Sequence, residues 1–356
     1  MNALRLGLSL MATAGVCALW ASPSFASGQA GITINGNAGF ASCKCATGSG
    51  TASNPYVIGP FAITSPNSSG SAITVENTTA DFTITGISAN YTNTNPGDAV
   101  IHLSGVTGPA TVSNVSANND GIGIEIDSSS NIALDSISVN KMNGAGLVIK
   151  SSTNIATSNS KYKATSDEVP LHDADGLYAV NSSNLQIGGV AKCPQSVCNT
   201  FDYDSGWGVY LQNTNNVTID QASANADDTG GYMLDGSSNV TIENSTAEAG
   251  GPICISLNGS KEPSGYFNTG LMANLMLFDG AHNNTIENDT FNGFAPASGF
   301  DIAGTPNTFY FNVCTGADST TFVPSGTAMG SGNVFSNLCY KTSNDVAGLP
   351  PSTCKS

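Results

Sequence analysis

Acidic residues recur in the turns that precede a series of short apolar runs. In a stack of coils, equivalent positions lie about 5 Å apart, so such residues are expected to form a column. Three roles fit a column of this kind: solvated turn residues, ligands of a calcium ion, or the paired acid and base that cleave a glycosidic bond. The residues are Asp120, Asp173, Asp175, Asp202, Asp204, Asp227, Asp228 and Glu248.

Three of these acids are the candidates for catalysis. Asp204, Asp227 and Asp228 lie about one repeat apart, which would place them on neighbouring coils as general acid and base. With Asp202 they would also supply the hard oxygen ligands that Ca²⁺ prefers. The only cofactor that the sequence suggests is therefore a calcium ion.

Aromatic and polar residues beside these acids are candidates for substrate binding. Tyr203 and Tyr210 could stack on sugar rings, and His172, Asp173 and Asp175 lie in a neighbouring inserted segment. His172 is the histidine to test, although a lone histidine of this kind is more often structural or solvated. Further tyrosines that could stack are Tyr162, Tyr178 and Tyr266, and Tyr178 is equally compatible with the core.

A repeat of 23 residues positions these side chains. It aligns Leu211 with Leu234 and Val217 with Val240. A unit this short has no room for a crossover helix, so like strands can stack only if the chain winds as a coil. Alternation then predicts an inward-facing core, with the expected members Ile122, Ile124, Ile126, Trp207, Val209, Leu211, Tyr232, Leu234, Met276 and Phe278.

One asparagine recurs just before the second apolar run of each unit. Stacked asparagines can pass hydrogen bonds from coil to coil, so these residues are predicted to form a structural ladder. Its members are Asn131, Asn154, Asn184, Asn216, Asn239 and Asn283.

The order of segments predicts one repeat domain between two caps. A signal peptide is expected over 1–26, because Arg5 is followed by an apolar stretch and a small-residue cleavage site. An N-terminal cap follows over 27–60, and coils over 61–299. The last coils and a C-terminal cap occupy 300–356. Departures from the repeat at 161–176, 188–206 and 258–270 predict inserted loops, which in solenoids often carry function.

Charge and cysteine content restrict the partners and the compartment. The formal net charge is −16 at pH 7, and Arg5 is the only arginine. Such a chain disfavours nucleic acid and anionic lipid. No later stretch could span a membrane. Cysteines in an exported protein favour disulfides, with Cys193 and Cys198 the closest plausible pair within the repeats.

Several short elements resemble a known group. Over about residues 72–291, NVTIEN, NNTIEN and SSN are similar to elements of right-handed parallel β-helix proteins of the pectin-lyase-like superfamily. Asn119-Asp120-Gly121 and Asp227-Asp228 resemble acidic motifs of polygalacturonase-type hydrolases. The Gly-His-Gly of those enzymes is replaced by Glu248-Ala249-Gly250-Gly251, and their Arg-x-Lys is absent. The repeats also resemble NosD-like periplasmic copper accessory proteins, with Met272 and Met276 the nearest approach to copper ligands.

The prediction is an all-β, single-stranded right-handed parallel β-helix of about 8–10 coils. Because the catalytic set of the resembling enzymes is incomplete, the leading functional hypothesis is an exported, non-catalytic cell-surface, matrix or glycan-binding solenoid. Its partner would be a polysaccharide or cell-envelope glycan. The alternatives are a polysaccharide hydrolase or calcium-dependent lyase, a subunit that assembles end to end into fibres, and a copper accessory protein.

Overall fold

The structure is a computed structural model. It describes residues 26–89, 91, 95, 97–164, 174–188, 199–202, 204–225, 230–248, 253–258, 273–278, 283–287, 290–293, 300–303, 308–310, 313–316 and 334–336.

The described residues form short strands and one short helix. The helix is α1 (Gly36–Ser42). The strands in chain order are β1 (Ala26–Ala30), β2 (Ile32–Asn35), β3 (Ala46–Thr47), β4 (Tyr56–Ile58), β5 (Phe61–Ser65), β6 (Ile73–Glu76), β7 (Phe82–Ala89), β8 (Ala99–Ser104), β9 (Ala110–Asn118), β10 (Ile122–Asp127), β11 (Ser130–Met142), β12 (Leu147–Lys150), β13 (Thr153–Ser158), β14 (Ser160–Ala164), β15 (Leu177–Val180), β16 (Ser183–Gly188), β17 (Asn199–Thr200), β18 (Trp207–Gln212), β19 (Asn215–Asp220), β20 (Ala222–Asn225), β21 (Gly230–Asp235), β22 (Ser238–Glu243), β23 (Thr246–Glu248), β24 (Ile253–Asn258), β25 (Ala273–Phe278), β26 (Thr285–Glu287), β27 (Thr290–Gly293), β28 (Phe300–Ala303), β29 (Thr308–Tyr310), β30 (Val313–Gly316) and β31 (Val334–Ser336).

The strands build a parallel β-solenoid, as the repeat predicts. One sheet has 20 strands, and the second has 11, which run from β2 through β6, β8, β10, β12, β15, β18 and β21. Successive coils pair in parallel register, so Leu211 lies beside Leu234 and Val217 beside Val240. The alignment read from the sequence is therefore the physical register, and the predicted fold class is confirmed.

The solenoid core is a continuous stack of apolar side chains between the two sheets. Ile124, Ile126, Val209, Leu211 and Leu234 each have an exposed fraction of 0% and belong to a single buried cluster. A fully buried aliphatic side chain contributes about 2 kcal/mol relative to an exposed one. Each added coil therefore extends the same core.

The coil corners are made by residues in the left-handed backbone conformation. All six asparagines of the predicted ladder have positive φ, as do Asn114, Asn159 and Asn244 at another corner. Asparagine is one of the few residues besides glycine that tolerates this region. Backbone conformation thus accounts for the asparagine at each of these positions.

Amide-to-amide bonds join two pairs of ladder asparagines, and these side chains are exposed. Asn154 donates to Asn131 at 3.2 Å, and Asn216 donates to Asn184 at 3.3 Å. Asn239 is exposed as well.

A buried hydroxyl ladder lies two residues before the asparagines. The backbone N–H of Ser129 donates to Ser152 Oγ at 3.0 Å, and that of Ser152 donates to Ser182 Oγ at 3.1 Å. In a later coil, the N–H of Thr214 donates to Ser237 Oγ at 3.1 Å. These hydroxyls satisfy buried amides that the corner leaves outside the sheet ladder.

Strict alternation fails at the start of the strands in the second sheet. Ile122 lies outside the main core and packs with Ala145, Val148 and Tyr178. Ile122 lies there because of the glycine that follows it. The backbone N–H groups of Gly123 and Ile124 donate to the successive carbonyls of residues 145 and 146. A side chain at Gly123 would lie 2.3 Å from a carbonyl oxygen. The prediction that Ile122 faces the core is therefore wrong.

Trp207 occupies the position equivalent to Ile122. Gly123, Gly146 and Gly176 donate in turn to the carbonyls of Ala145, Asp175 and Trp207, which marks one register position across the coils. Trp207 is buried, yet it is not a member of the main core cluster that holds Val209 and Leu211. Its inward orientation therefore stays a prediction, and its buried indole N–H has no hydrogen-bond partner among the described residues.

The N-terminal region covers the first coils. Phe40 of α1 stacks on Tyr56, with ring centroids 4.5 Å apart. Cys43 and Cys45 form a disulfide directly after the helix. No helix among the described residues has the length and apolar character needed to cross a membrane.

Candidate functional site

Four side chains from three successive coils form a hydrogen-bonded network on the outer face of the second sheet. Tyr178 comes from β15, Tyr210 and Gln212 from β18, and Asp235 from β21. The Tyr178 hydroxyl donates to Gln212 Oε1 at 2.8 Å. Both Gln212 Nε2 and the Tyr210 hydroxyl donate to Asp235 Oδ2, each at 3.0 Å. We call these four residues the Tyr-Gln-Asp network.

The network places polar tips beside an aromatic surface. The rings of Tyr178 and Tyr210 lie in register with centroids 5.3 Å apart and planes tilted by 37°. Tyr178, Gln212 and Asp235 are partly exposed, whereas Tyr210 is only 5% exposed. The sheet positions these residues because they alternate with the inward-facing Leu211 and its equivalents.

The electrostatics fix the direction of hydrogen bonding. Burial raises the pKa of the Tyr210 hydroxyl, and the carboxylate of Asp235 raises it further. Tyr210 therefore remains a protonated donor across the physiological range. Asp235 is consequently the acceptor of the network.

The same outer face carries an ion pair three coils nearer the N-terminus than Asp235. Lys150 Nζ lies 2.9 Å from Glu125 Oε1, and His102 Nε2 lies 3.9 Å from the other oxygen of that carboxylate. The lysine charge on this part of the face is therefore engaged by a neighbouring acid.

Two of the predicted acids are buried close to one another. Asp175 and Asp204 have exposed fractions of 0% and 1%. The backbone N–H of Trp207 donates to Asp175 Oδ1 at 2.6 Å, and that of Ala164 donates to Asp204 Oδ1 at 2.5 Å. The two carboxyls thus tie together the coils on either side of the inserted loops.

Glycines make room for these carboxyls. A Cβ atom at Gly206 would lie 2.2 Å from Asp175 Oδ1, and one at Gly176 would lie 2.4 Å from Asp204 Oδ2. Real Cβ contacts are longer, so a side chain at either position would displace a carboxyl. The Asp-Gly pairing is therefore a packing requirement of this corner.

Burial is the largest influence on the titration of Asp204. It raises the pKa of Asp204 well above the ordinary value, and the carboxylates of Asp175 and Asp202 raise it further, while the Ala164 N–H and Lys163 oppose them. Burial also raises the pKa of Asp202, which accepts hydrogen bonds from Ser223 Oγ and Asn225 N–H. Asp204 thus holds a proton more firmly than an exposed carboxylate.

Asp120 occupies a separate acidic site two coils nearer the N-terminus than Asp175. It is 1% exposed, and its Oδ1 accepts a hydrogen bond from Gly121 N–H at 3.0 Å. Burial raises its pKa to about 6, and the nearby Asp98 carboxylate also contributes. Burial likewise raises the pKa of Tyr91, beside this carboxyl.

The remaining predicted site residues fall outside the described part of the chain. These residues are Asp227, Asp228, Tyr203, His172, Asp173, Cys193 and Cys198. The calcium assignment to Asp202, Asp204, Asp227 and Asp228 stays a prediction for the same reason. Within the described residues, no group of three or more His, Cys, Asp or Glu side chains is arranged to hold a metal ion.

Sequence reasoning missed two members of the Tyr-Gln-Asp network. Gln212 and Asp235 end the two aligned apolar runs, one repeat apart, each directly after the inward-facing Leu211 or Leu234. Their outward position was available from the alternation. The contact with Tyr178 was not, because residues 188–206 interrupt the 23-residue spacing between its coil and β18.

Comparisons with known proteins give no family assignment. No protein-family model matches the chain, and no curated protein matches it in sequence. Among solved structures it is similar to tailspike protein 2 from an Escherichia coli O157:H7 bacteriophage, with 13% identity and a TM-score of 0.42, over 80% of this chain and 34% of the tailspike. The chain thus spans about a third of that tailspike's length.

Two further solved structures are similar over most of their own length. One is an alginate lyase from Paenibacillus sp., with 14% identity, a TM-score of 0.39, and coverage of 85% of this chain and 97% of the lyase. The other is the Streptococcus pneumoniae surface protein and adhesin PfbA, with 12% identity, a TM-score of 0.42, and coverage of 80% and 88%. Similarity of this size carries no information on activity.

Proposed function

We propose that the protein is an exported, non-catalytic β-solenoid that binds a glycan on the outer face of its second sheet. The observation that carries this proposal is the Tyr-Gln-Asp network, in which a carboxamide and a carboxylate stand beside two tyrosine rings. Sugar rings offer hydroxyls at their edges and C–H groups on their faces. A mixed aromatic and polar surface matches both.

Rigidity supports a binding role for this network. Each of its hydrogen bonds joins residues of neighbouring coils, and the strands beneath are locked in register by the sheet. A ligand therefore meets side chains that are already oriented, which lowers the entropic cost of binding.

The buried acid pair supports a non-catalytic assignment. Asp175 and Asp204 are at most 1% exposed and accept backbone hydrogen bonds, so they hold coils together and do not face a bound polymer. A general acid or base must reach within hydrogen-bond distance of the proton that it transfers.

The test is affinity electrophoresis of the mature protein against a panel of polysaccharides, with and without calcium. We expect Gln212→Ala to weaken retention about tenfold, the effect of losing one or two hydrogen bonds at a partly buried site. Gln186→Ala is the matched control, since Gln186 is a partly exposed glutamine of the first sheet whose side chain donates to the Gly188 carbonyl of its own strand.

Product analysis in the same samples separates binding from catalysis. Reducing ends or unsaturated products that disappear in Asp204→Asn, Asp227→Asn or Asp228→Asn would make the protein a hydrolase or calcium-dependent lyase. Equal retention of both glutamine variants, or no retention by any polysaccharide, would refute the proposed site. Light scattering on the same preparation tests end-to-end self-association.

A further inference from the structure

We infer that the glycan recognised by the Tyr-Gln-Asp network is an amino-sugar polymer with free amines, and that uronate polymers are rejected. This inference rests on the proposed function and specifies the ligand of the same site. It follows from how the donors and acceptors of the network are used.

Most hydrogen-bond donors of the network form bonds with other members of the network. The Tyr178 hydroxyl donates to Gln212 Oε1. The Tyr210 hydroxyl and one Gln212 N–H both donate to Asp235 Oδ2. The tyrosines therefore present their hydroxyls to protein atoms and not to a ligand.

The acceptor capacity of the network remains available to a ligand. Asp235 uses Oδ2 for both of its hydrogen bonds, and no described side chain donates to its Oδ1. Asp235 is partly exposed at the end of β21. A carboxylate oxygen in this position can accept a hydrogen bond from a ligand. An ammonium group forms a charge-assisted bond with it, which is stronger than the bond from a neutral donor.

Charge along the same face favours a cation over an anion. Lys150 is paired with Glu125 at 2.9 Å, and His102 faces that same carboxylate. The chain as a whole has a formal net charge of −16. A uronate carboxylate placed beside Asp235 would meet a like charge without a compensating arginine, and like charges in contact oppose binding.

The aromatic pair provides the neutral part of recognition. Tyr178 is partly exposed beside the buried Tyr210, with ring centroids 5.3 Å apart. The edge of this pair can contact the C–H face of a pyranose ring while the amine reaches Asp235. An ammonium close to a tyrosine ring gains a further electrostatic attraction.

The experiment measures binding of three hexasaccharides by isothermal titration calorimetry at pH 6: glucosamine, its fully N-acetylated form, and galacturonate. We expect the glucosamine hexamer to bind at least about tenfold more tightly than the acetylated form, which has the same backbone without the charge. The galacturonate hexamer should show no binding.

Two variants separate a specific contact from general attraction of a cation to an acidic protein. Asp235→Asn should weaken binding of the glucosamine hexamer about tenfold, the expected loss of one charge-assisted hydrogen bond. Asp220→Asn removes the same charge from the first sheet, where Asp220 accepts a hydrogen bond from Asn244, and should leave binding unchanged.

The outcomes distinguish this inference from the proposed function. Equal weakening by both variants, equal affinity for the acetylated hexamer, or binding of the galacturonate hexamer would overturn the amino-sugar assignment and leave a glycan site in place. Failure of every hexamer and every polysaccharide to bind would overturn both.

Discussion

Replacement of Asp120 by asparagine should change the pH dependence of stability in a defined direction. Burial raises the pKa of Asp120 to about 6 in the folded protein, against about 3.9 in an unfolded chain. The folded state therefore binds this proton more tightly than the unfolded state. The stabilisation is complete below about pH 4, is lost as the pH rises toward 6, and is absent above that.

The size of the effect follows from the shift. Two pKa units correspond to about 3 kcal/mol at 1.36 kcal/mol per unit, and water around a partly screened carboxylate reduces the expected value to about 1–2 kcal/mol. Asparagine retains an oxygen that can accept the hydrogen bond from Gly121 N–H, which is 3.0 Å long in the wild type. The substitution therefore removes the titration and preserves the contact.

The assay is urea unfolding of the wild type and of Asp120→Asn at pH 4, 5, 6 and 7. All other titrating groups are common to both proteins, so the difference in unfolding free energy isolates Asp120. We expect the variant to gain about 1–2 kcal/mol relative to the wild type between pH 4 and pH 7. A difference that stays constant over this range, or falls with rising pH, would refute the reasoning.

Three further predictions concern stability and are checked by urea unfolding at neutral pH. Ser237→Ala should cost about 1–3 kcal/mol, because it leaves the buried N–H of Thr214 without its acceptor, and a cost below 0.5 kcal/mol would contradict the hydroxyl ladder. Asn239→Ala should lower the unfolding free energy by about 1 kcal/mol and Asn239→Gly by much less, because φ at this residue is 54° and its amide is exposed. Equal losses of unfolding free energy in the two variants would instead show that the amide stabilises the corner. Gly206→Ala should cost about 1–3 kcal/mol, since the added carbon would lie 2.2 Å from Asp175 Oδ1, and a neutral result would show that the carboxyl can move.

The repeat could be predicted from sequence because its signals are local. The 23-residue spacing and the alternation within β18 and β21 predict which leucines and valines stack. The observed pairing of Leu211 with Leu234 agrees with that alignment. Asparagine at the corners was also visible, although its use in the left-handed backbone region was not inferred.

The inward assignment of Ile122 failed because a glycine follows it. Two successive N–H groups at Gly123 and Ile124 donate across to the next coil, and this interrupts the pleat. A side chain one residue before the interruption turns away from the core. A prediction from strict alternation does not detect such a break in the strand.

The sequence by itself determined the coil, its register and its chemical character, since hydrophobic period and turn residues act over a few positions along the chain. Only the tertiary structure decided which polar residues meet. Tyr178 contacts Gln212, and Asp175 accepts a hydrogen bond from the backbone N–H of Trp207, although residues 188–206 interrupt the repeat spacing between them. The length of an inserted loop does not reveal how the coils on either side are aligned. That alignment is set by burial of the core strands, which leaves the acid pair buried and places the Tyr-Gln-Asp network on the outer face.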